Sequence, residues 1–140
     1  MRKAESRTVL LVEDNPMDVF IIEEIVRESG LNLRLEVVKD GQEALSYLRN
    51  AAAKEQPSVP ALVLLDLNLP KVSGLEVLTE LRKDPRLGST PVVIVSSSMA
   101  PPDRVATKRL GAAGYFQKPN DLAAYRRLVD VIKSIFPHPS

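Results

Sequence analysis

Five short runs of aliphatic and β-branched residues, separated by longer stretches of helical spacing, constrain this chain more than any other feature. Val9–Val12, Leu35–Val38, Leu62–Leu65, Val92–Val95 and the pair Tyr115–Phe116 read as strands. Three of them are unbroken apolar runs, as expected of strands covered by helices on both faces. The segments between carry helix-boundary signals. Asn15 before Pro16 fits an N-cap with proline at the first helical position, and Gly30 closes that helix. Asp40 with Glu43, and Ser73 with Glu76, have capping-box spacing. A fourth helix is expected from near Pro102 to Gly111, and a fifth from about Asp121 to Phe136, stopped by Pro137. Ala51–Pro60 is the one long irregular connection. The order βαβαβαβαβα forms a parallel sheet with helices on both faces, because each right-handed crossover must carry a helix back.

Composition narrows the chemistry. A chain of 140 residues makes one domain and buries enough surface to fold without a disulfide or structural metal. Cysteine is absent, which removes thiol nucleophiles and iron–sulfur ligation, and a single histidine makes a zinc site untenable. The 19 basic and 18 acidic side chains leave a net charge of +1, so no global field points to nucleic acid or an acidic membrane. Aromatics make up 4% and tryptophan is missing, against stacking on single-stranded nucleic acid. No apolar run approaches membrane length, and Met1 to Thr8 lack the apolar core of a signal peptide. The expectation is a soluble cytoplasmic domain that works through carboxylates, hydroxyls and lysine.

In open α/β sheets ligands bind beyond the carboxyl ends of the strands. The residues there are Glu13 and Asp14 after the first run, Asp66 after the third, Ser96 after the fourth and Lys118 after the fifth. Singly, each has an ordinary explanation: a helix cap, a turn residue, loop polarity, a solvated lysine. Together at successive strand ends they form a site. Close carboxylates raise one another's pKa unless a cation sits among them. Mg²⁺ fits, since it takes hard oxygen ligands and keeps several waters. Asp66 is then a nucleophile toward a phosphoryl group, with Lys118 offsetting charge on the phosphoryl oxygens and Ser96 bonding to them.

Val12-Glu13-Asp14-Asn15, Leu65-Asp66-Leu67-Asn68-Leu69-Pro70, Val95-Ser96 and Lys118-Pro119 resemble the four signature blocks of two-component response-regulator receiver domains, over about residues 7 to 136. The resemblance implies a CheY-like, doubly wound α/β fold: a five-stranded parallel sheet in order 2-1-3-4-5 with five flanking helices. It implies Asp66 as phosphoacceptor from a sensor histidine kinase. Mg²⁺ would be held by Asp14 and Asp66, by Glu13 through water and by the backbone carbonyl of Asn68. Ser96 and Tyr115 would be the switch residues and Lys118 the phosphate-pairing lysine. Asn68 and Ser98 would tune phosphate lifetime, Gly74 would form a tight turn beside the site, and a cis peptide before Pro119 would orient Lys118.

The 22 residues after Lys118 leave no room for an output domain, so the signal is expected to leave through a downstream protein target or a phosphotransfer protein. The first block, the long connection before Pro60 and the serines after Val95 are similar to stand-alone regulators paired with bacteriophytochrome kinases. Val19-Phe20-Ile21-Ile22 cannot all face the core of one helix, which leaves Phe20 either as a kinase-docking residue or as a scattered surface apolar side chain. The broad stripe Leu122, Tyr125, Leu128, Val129 and Ile132, widened by Val131, Ile135 and Phe136, fits either a homodimer face or a deeply packed helix. A haloacid-dehalogenase-type phosphatase would need an acid where Asn68 stands. A flavodoxin-like carrier would need a phosphate-cradling loop where Glu13 and Asp14 stand. A degenerate receiver acting as a phosphorylation-independent binding module stays open beside the phosphoacceptor.

Overall fold

The computed structural model describes residues 7–55, 57–98 and 100–136. Five parallel strands, β1 (Arg7–Val12), β2 (Leu33–Val38), β3 (Leu62–Leu65), β4 (Val92–Ser96) and β5 (Gly114–Gln117), form one sheet in the order β2-β1-β3-β4-β5. The helices are α1 (Pro16–Ser29), α2 (Gly41–Ala53), α3 (Gly74–Lys83), α4 (Pro101–Arg109), α5 (Leu122–Tyr125) and α6 (Arg127–Ile135).

Strand periodicity divides the core in two. Val9, Leu11, Leu62, Leu64, Val93 and Val95 face one layer with Ile22, Ile25, Tyr125, Leu128 and Ile132. Leu10, Val12, Val63, Leu65, Val92 and Ile94 face the other, against Ala44, Leu48, Val77, Leu78 and Leu81. Val129, Val131, Ile135 and Phe136 pack against the first layer, while Leu122 at the start of the same apolar stripe is 49% exposed.

The helix starts follow the capping signals. Asn15 accepts from the backbone amides of Met17 and Asp18, Asp40 from that of Glu43, and Ser73 with Glu76 closes a reciprocal box. Gly30 and Gly111 end their helices with φ of 75° and 77°. Two helices depart from expectation. Helix α2 runs through Ala51–Ala53 because Ala51 and Ala52 are good helix formers whose methyls are buried, and this shortens the irregular connection. The expected fifth helix is interrupted at Arg126, where the Val129 amide bonds three residues back to the Arg126 carbonyl, a tightened turn that separates α5 from α6. Pro137, expected to stop this helix, lies outside the described residues.

The β3–α3 loop is the most constrained connection. Lys71 takes a φ of 68°, alone among the described non-glycine residues, and its ammonium pairs with the buried Asp40 at 3.5 Å. A methyl group on Gly41 would meet the Val72 carbonyl oxygen at 1.9 Å, so the start of α2 is pressed directly against this loop.

Candidate functional site

The chain changes direction between β1 and β3: β2 lies outside β1, while β4 and β5 follow on the far side of β3. The crevice at that reversal is where such sheets bind ligands. Backbone bonds continue each ladder one step past the strands. The Glu13 amide donates to the Val38 carbonyl (3.0 Å), Asp66 to Val12 (3.1 Å) and Lys118 to Ser96 (2.9 Å). Glu13, Asp14, Asp66, Ser96 and Lys118 are thereby set on one rim.

Lys118 is the electrostatic centre of this rim. Its ammonium donates to Asp66 Oδ2 and to Asp18 Oδ2, each at 3.0 Å, and lies 2.8 Å from Glu13 Oε1. Burial alone would lower its pKa, but the close Glu13 and Asp18 carboxylates and the charge of Asp66 carry it above the ordinary lysine value. Lys118 is therefore a fixed cation. Glu13 is 1% exposed, and burial pushes its carboxyl up to about 7; the Lys118 ammonium pulls the other way and the Asp66 charge adds to the rise.

Glu13, Asp14 and Asp66 each offer a carboxylate oxygen within 4.8 Å of the others. Glu13 Oε2 accepts the Asn15 amide at 3.1 Å. Oε1, although close to the ammonium, is off the direction of a hydrogen bond and has no such partner. A buried acceptor without a donor, beside two more carboxylates, fits a hard divalent cation carrying ordered water.

The raised Glu13 value has a pH signature in the metal-free protein. Between about pH 4.5 and 7 the native state keeps a proton that the unfolded chain has lost, so the contribution of Glu13 to stability falls as pH rises through that window. At about 1.4 kcal/mol per pKa unit the effect reaches a few kcal/mol. Urea unfolding in EDTA at pH 5.5 and pH 8 should show a steeper loss for wild type than for Glu13→Gln. Equal slopes would contradict the assignment.

The remaining expected residues lie around this centre. The Asn68 amide donates to Asp66 Oδ1 at 3.1 Å, while its side chain is exposed. Ser96 is fully buried, and its hydroxyl oxygen accepts the Ser98 amide at 3.2 Å. The Ser98 hydroxyl donates to Asp103 Oδ2 and accepts the Ala100 amide, which places it at the entrance to α4. Tyr115 donates its hydroxyl to the Ser98 carbonyl at 3.1 Å, and the Arg104 guanidinium lies over its ring, 4.4 Å from the centroid. Phe20 is 59% exposed and lies one turn from Met17 at 65%. Gly74 does form the tight turn: a methyl there would come within 2.1 Å of the Asp66 carbonyl oxygen. The expected cis peptide before Pro119 is absent, as the described peptide bonds are all trans. Trans is the lower-energy isomer by about 0.5–1 kcal/mol. Lys118 is instead oriented by its amide bond to Ser96 and by the three carboxylates.

Two site residues escape the sequence reading. Asp18 pairs with Lys118, and its other oxygen, Oδ1, accepts the Tyr125 hydroxyl at 3.1 Å. Tyr125 is buried against Phe116, with ring centroids 5.7 Å apart, and burial followed by the Asp18 charge raises its pKa, so the hydroxyl remains a donor. In sequence Asp18 looks like an acid complementing the α1 dipole, and Tyr125 like one member of an apolar stripe.

Residues 9–130 match the family described as the response regulator receiver domain. The chain is 34% identical over 130 residues to response regulator Rcp1 of Synechocystis sp., covering 93% of this chain and 88% of that protein. Among solved structures it superposes on the phosphorylated cyanobacterial phytochrome response regulator RcpA with a TM-score of 0.84 and 36% identity, covering 96% of both chains. The Mn²⁺-bound form of Rcp1 superposes with a TM-score of 0.83 and 33% identity, again covering 96% of both.

Proposed function

Because this chain belongs to the response regulator receiver domain family of two-component signalling, we propose that it is a Mg²⁺-dependent phosphoacceptor loaded on Asp66 by a sensor histidine kinase. The observation that carries this reading is the Asp66 carboxylate itself. It is buried, bonded to Lys118 through Oδ2 and grouped with Glu13 and Asp14.

Asp66 attacks the phosphorus of a phosphohistidine. An O–P bond forms, the N–P bond breaks, and the imidazole nitrogen keeps the electron pair. Mg²⁺, held by Asp14 and Asp66, by Glu13 through water and by the Asn68 carbonyl, would neutralise charge on the transferring phosphoryl oxygens. The Asn68 amide holds Oδ1, and Lys118 stands ready to pair with the phosphoryl group. Asn68 and Ser98 are weak bases, so hydrolysis of the acyl phosphate depends on how they position water.

The switch follows from the hydrogen bonds already in place. When Ser96 turns its hydroxyl to a phosphate oxygen, the Ser98 amide loses its acceptor. The Ser98 carbonyl is the acceptor of Tyr115, so the change passes from Ser96 to Tyr115 and to the face of α4 and β5 that meets a downstream protein or phosphotransfer partner.

The phytochrome association of RcpA supports a bacteriophytochrome kinase as donor. Met17 and Phe20, exposed on the first turns of α1 beside the site, supply an apolar docking face for the kinase's helical bundle. The test is transfer from a phosphorylated bacteriophytochrome kinase. Wild type should take the phosphate and Asp66→Asn should not. Phe20→Arg should slow transfer from the kinase at least several-fold while leaving the reaction with acetyl phosphate near wild type. Transfer to Asp66→Asn would contradict the phosphoacceptor role, and unimpaired kinase transfer to Phe20→Arg would remove the docking role.

A further inference from the structure

Asp18 is the fourth carboxylate of the rim, and its surroundings set it apart from the other three. It is absent from the set that can share a metal ion, which comprises Glu13, Asp14 and Asp66. Its charge is answered by Lys118 at 3.0 Å, and its second oxygen is held by the buried Tyr125 hydroxyl at 3.1 Å. The carboxylate is thus fixed in place by α5 independently of Lys118.

Resting on the phosphoacceptor reading above, we propose that Asp18 restrains Lys118 and slows loading of Asp66 by small anionic phosphoryl donors. The ammonium is shared among Glu13, Asp18 and Asp66. An incoming phosphoryl group needs that ammonium, and every contact it gains is taken from a carboxylate. Asp66 gives up its claim when it becomes an acyl phosphate. The charges of Glu13, Asp14 and Asp66 would be offset by a divalent cation that these three carboxylates could hold. Asp18 lies outside that set, so it continues to draw Lys118 away and to repel the donor's own negative charge. It acts through Lys118 and touches no reacting atom, which makes it a positioning residue that tunes reactivity downward.

Removing a merely structural contact would slow the reaction, whereas removing this restraint should accelerate it. With acetyl phosphate as donor at saturating Mg²⁺, Asp18→Asn should phosphorylate about three- to ten-fold faster than wild type by intact mass. Calorimetric titration with Mg²⁺ alone should show weaker binding in the same variant, because the freed ammonium pairs more fully with Glu13 and Asp66. Asp18→Glu, which retains the charge, should return the rate toward wild type. An unchanged or slower Asp18→Asn overturns the proposal, as does tighter Mg²⁺ binding, or acceleration by Asp18→Glu equal to that by Asp18→Asn. Wild type that takes no phosphate on Asp66 would instead defeat the underlying function.

Discussion

Replacing Lys118 by methionine is expected to destabilise the metal-free protein by about 3–5 kcal/mol and to slow phosphorylation of Asp66 by about two orders of magnitude. The first effect follows from what would be left behind. Lys118 is the cation within 3.0 Å of Glu13, Asp18 and Asp66, and its side chain is only 11% exposed. Methionine fills the volume but leaves these carboxylates facing one another in a poorly solvated crevice. Acid should therefore reduce the loss, since protonation relieves the repulsion. Mg²⁺ should stabilise the variant more than wild type, because no ammonium then competes for Glu13 and Asp66. The second effect follows because the phosphoryl oxygens lose the side chain that pairs with them. Urea unfolding with and without Mg²⁺ measures the first, and acetyl phosphate kinetics the second. A variant as stable as wild type in EDTA would show that Lys118 does not hold the rim together.

Gly74→Ala should be the most damaging single-methyl addition at the site. Its Cβ would lie 2.1 Å from the Asp66 carbonyl oxygen and 2.7 Å from the Leu67 Cα, and neither backbone atom can swing aside. Overpacking of this kind costs about 1–3 kcal/mol, well above what alanine gains over glycine in a helix. The displaced backbone is that of Asp66, so its carboxylate moves away from Lys118 and from the Asn68 amide. Gly41→Ala provides the comparison. Its Cβ meets the Val72 carbonyl at 1.9 Å, so it strains the same loop farther from Asp66. Both variants should melt below wild type, but Gly74→Ala should lose far more phosphorylation rate at a temperature where both are folded. Equal rates in the two would contradict the close approach at Asp66.

Strand ends were the legible part of this molecule. An apolar run has to leave the sheet where it stops, and parallel topology brings all those stops to one edge, so Glu13, Asp66, Ser96 and Lys118 could be gathered from spacing alone. Local caps were legible for a similar reason: Asn15, Asp40 and Ser73 act on amides two or three residues away. Asp18 and Tyr125 were not, because their bonds span 100 and 107 positions and nothing local distinguishes them from a helix-start acid and a core aromatic. The positive φ of Lys71 was equally hidden. It is imposed by the packing of α2 against the loop and stands where glycine or asparagine would advertise it. The break at Arg126 has no sequence mark, since neither glycine nor proline is present.

The most direct measurement is the intact mass of the protein after incubation with acetyl phosphate and Mg²⁺. Wild type should gain the mass of one phosphoryl group, about 80 Da as expected for an acyl phosphate on one aspartate, and lose it on standing or in hydroxylamine. Asp66→Asn should show no gain, and EDTA should abolish the gain in wild type. A wild type that stays unmodified, or an Asp66→Asn protein that gains the same mass, would contradict Asp66 as the phosphoacceptor.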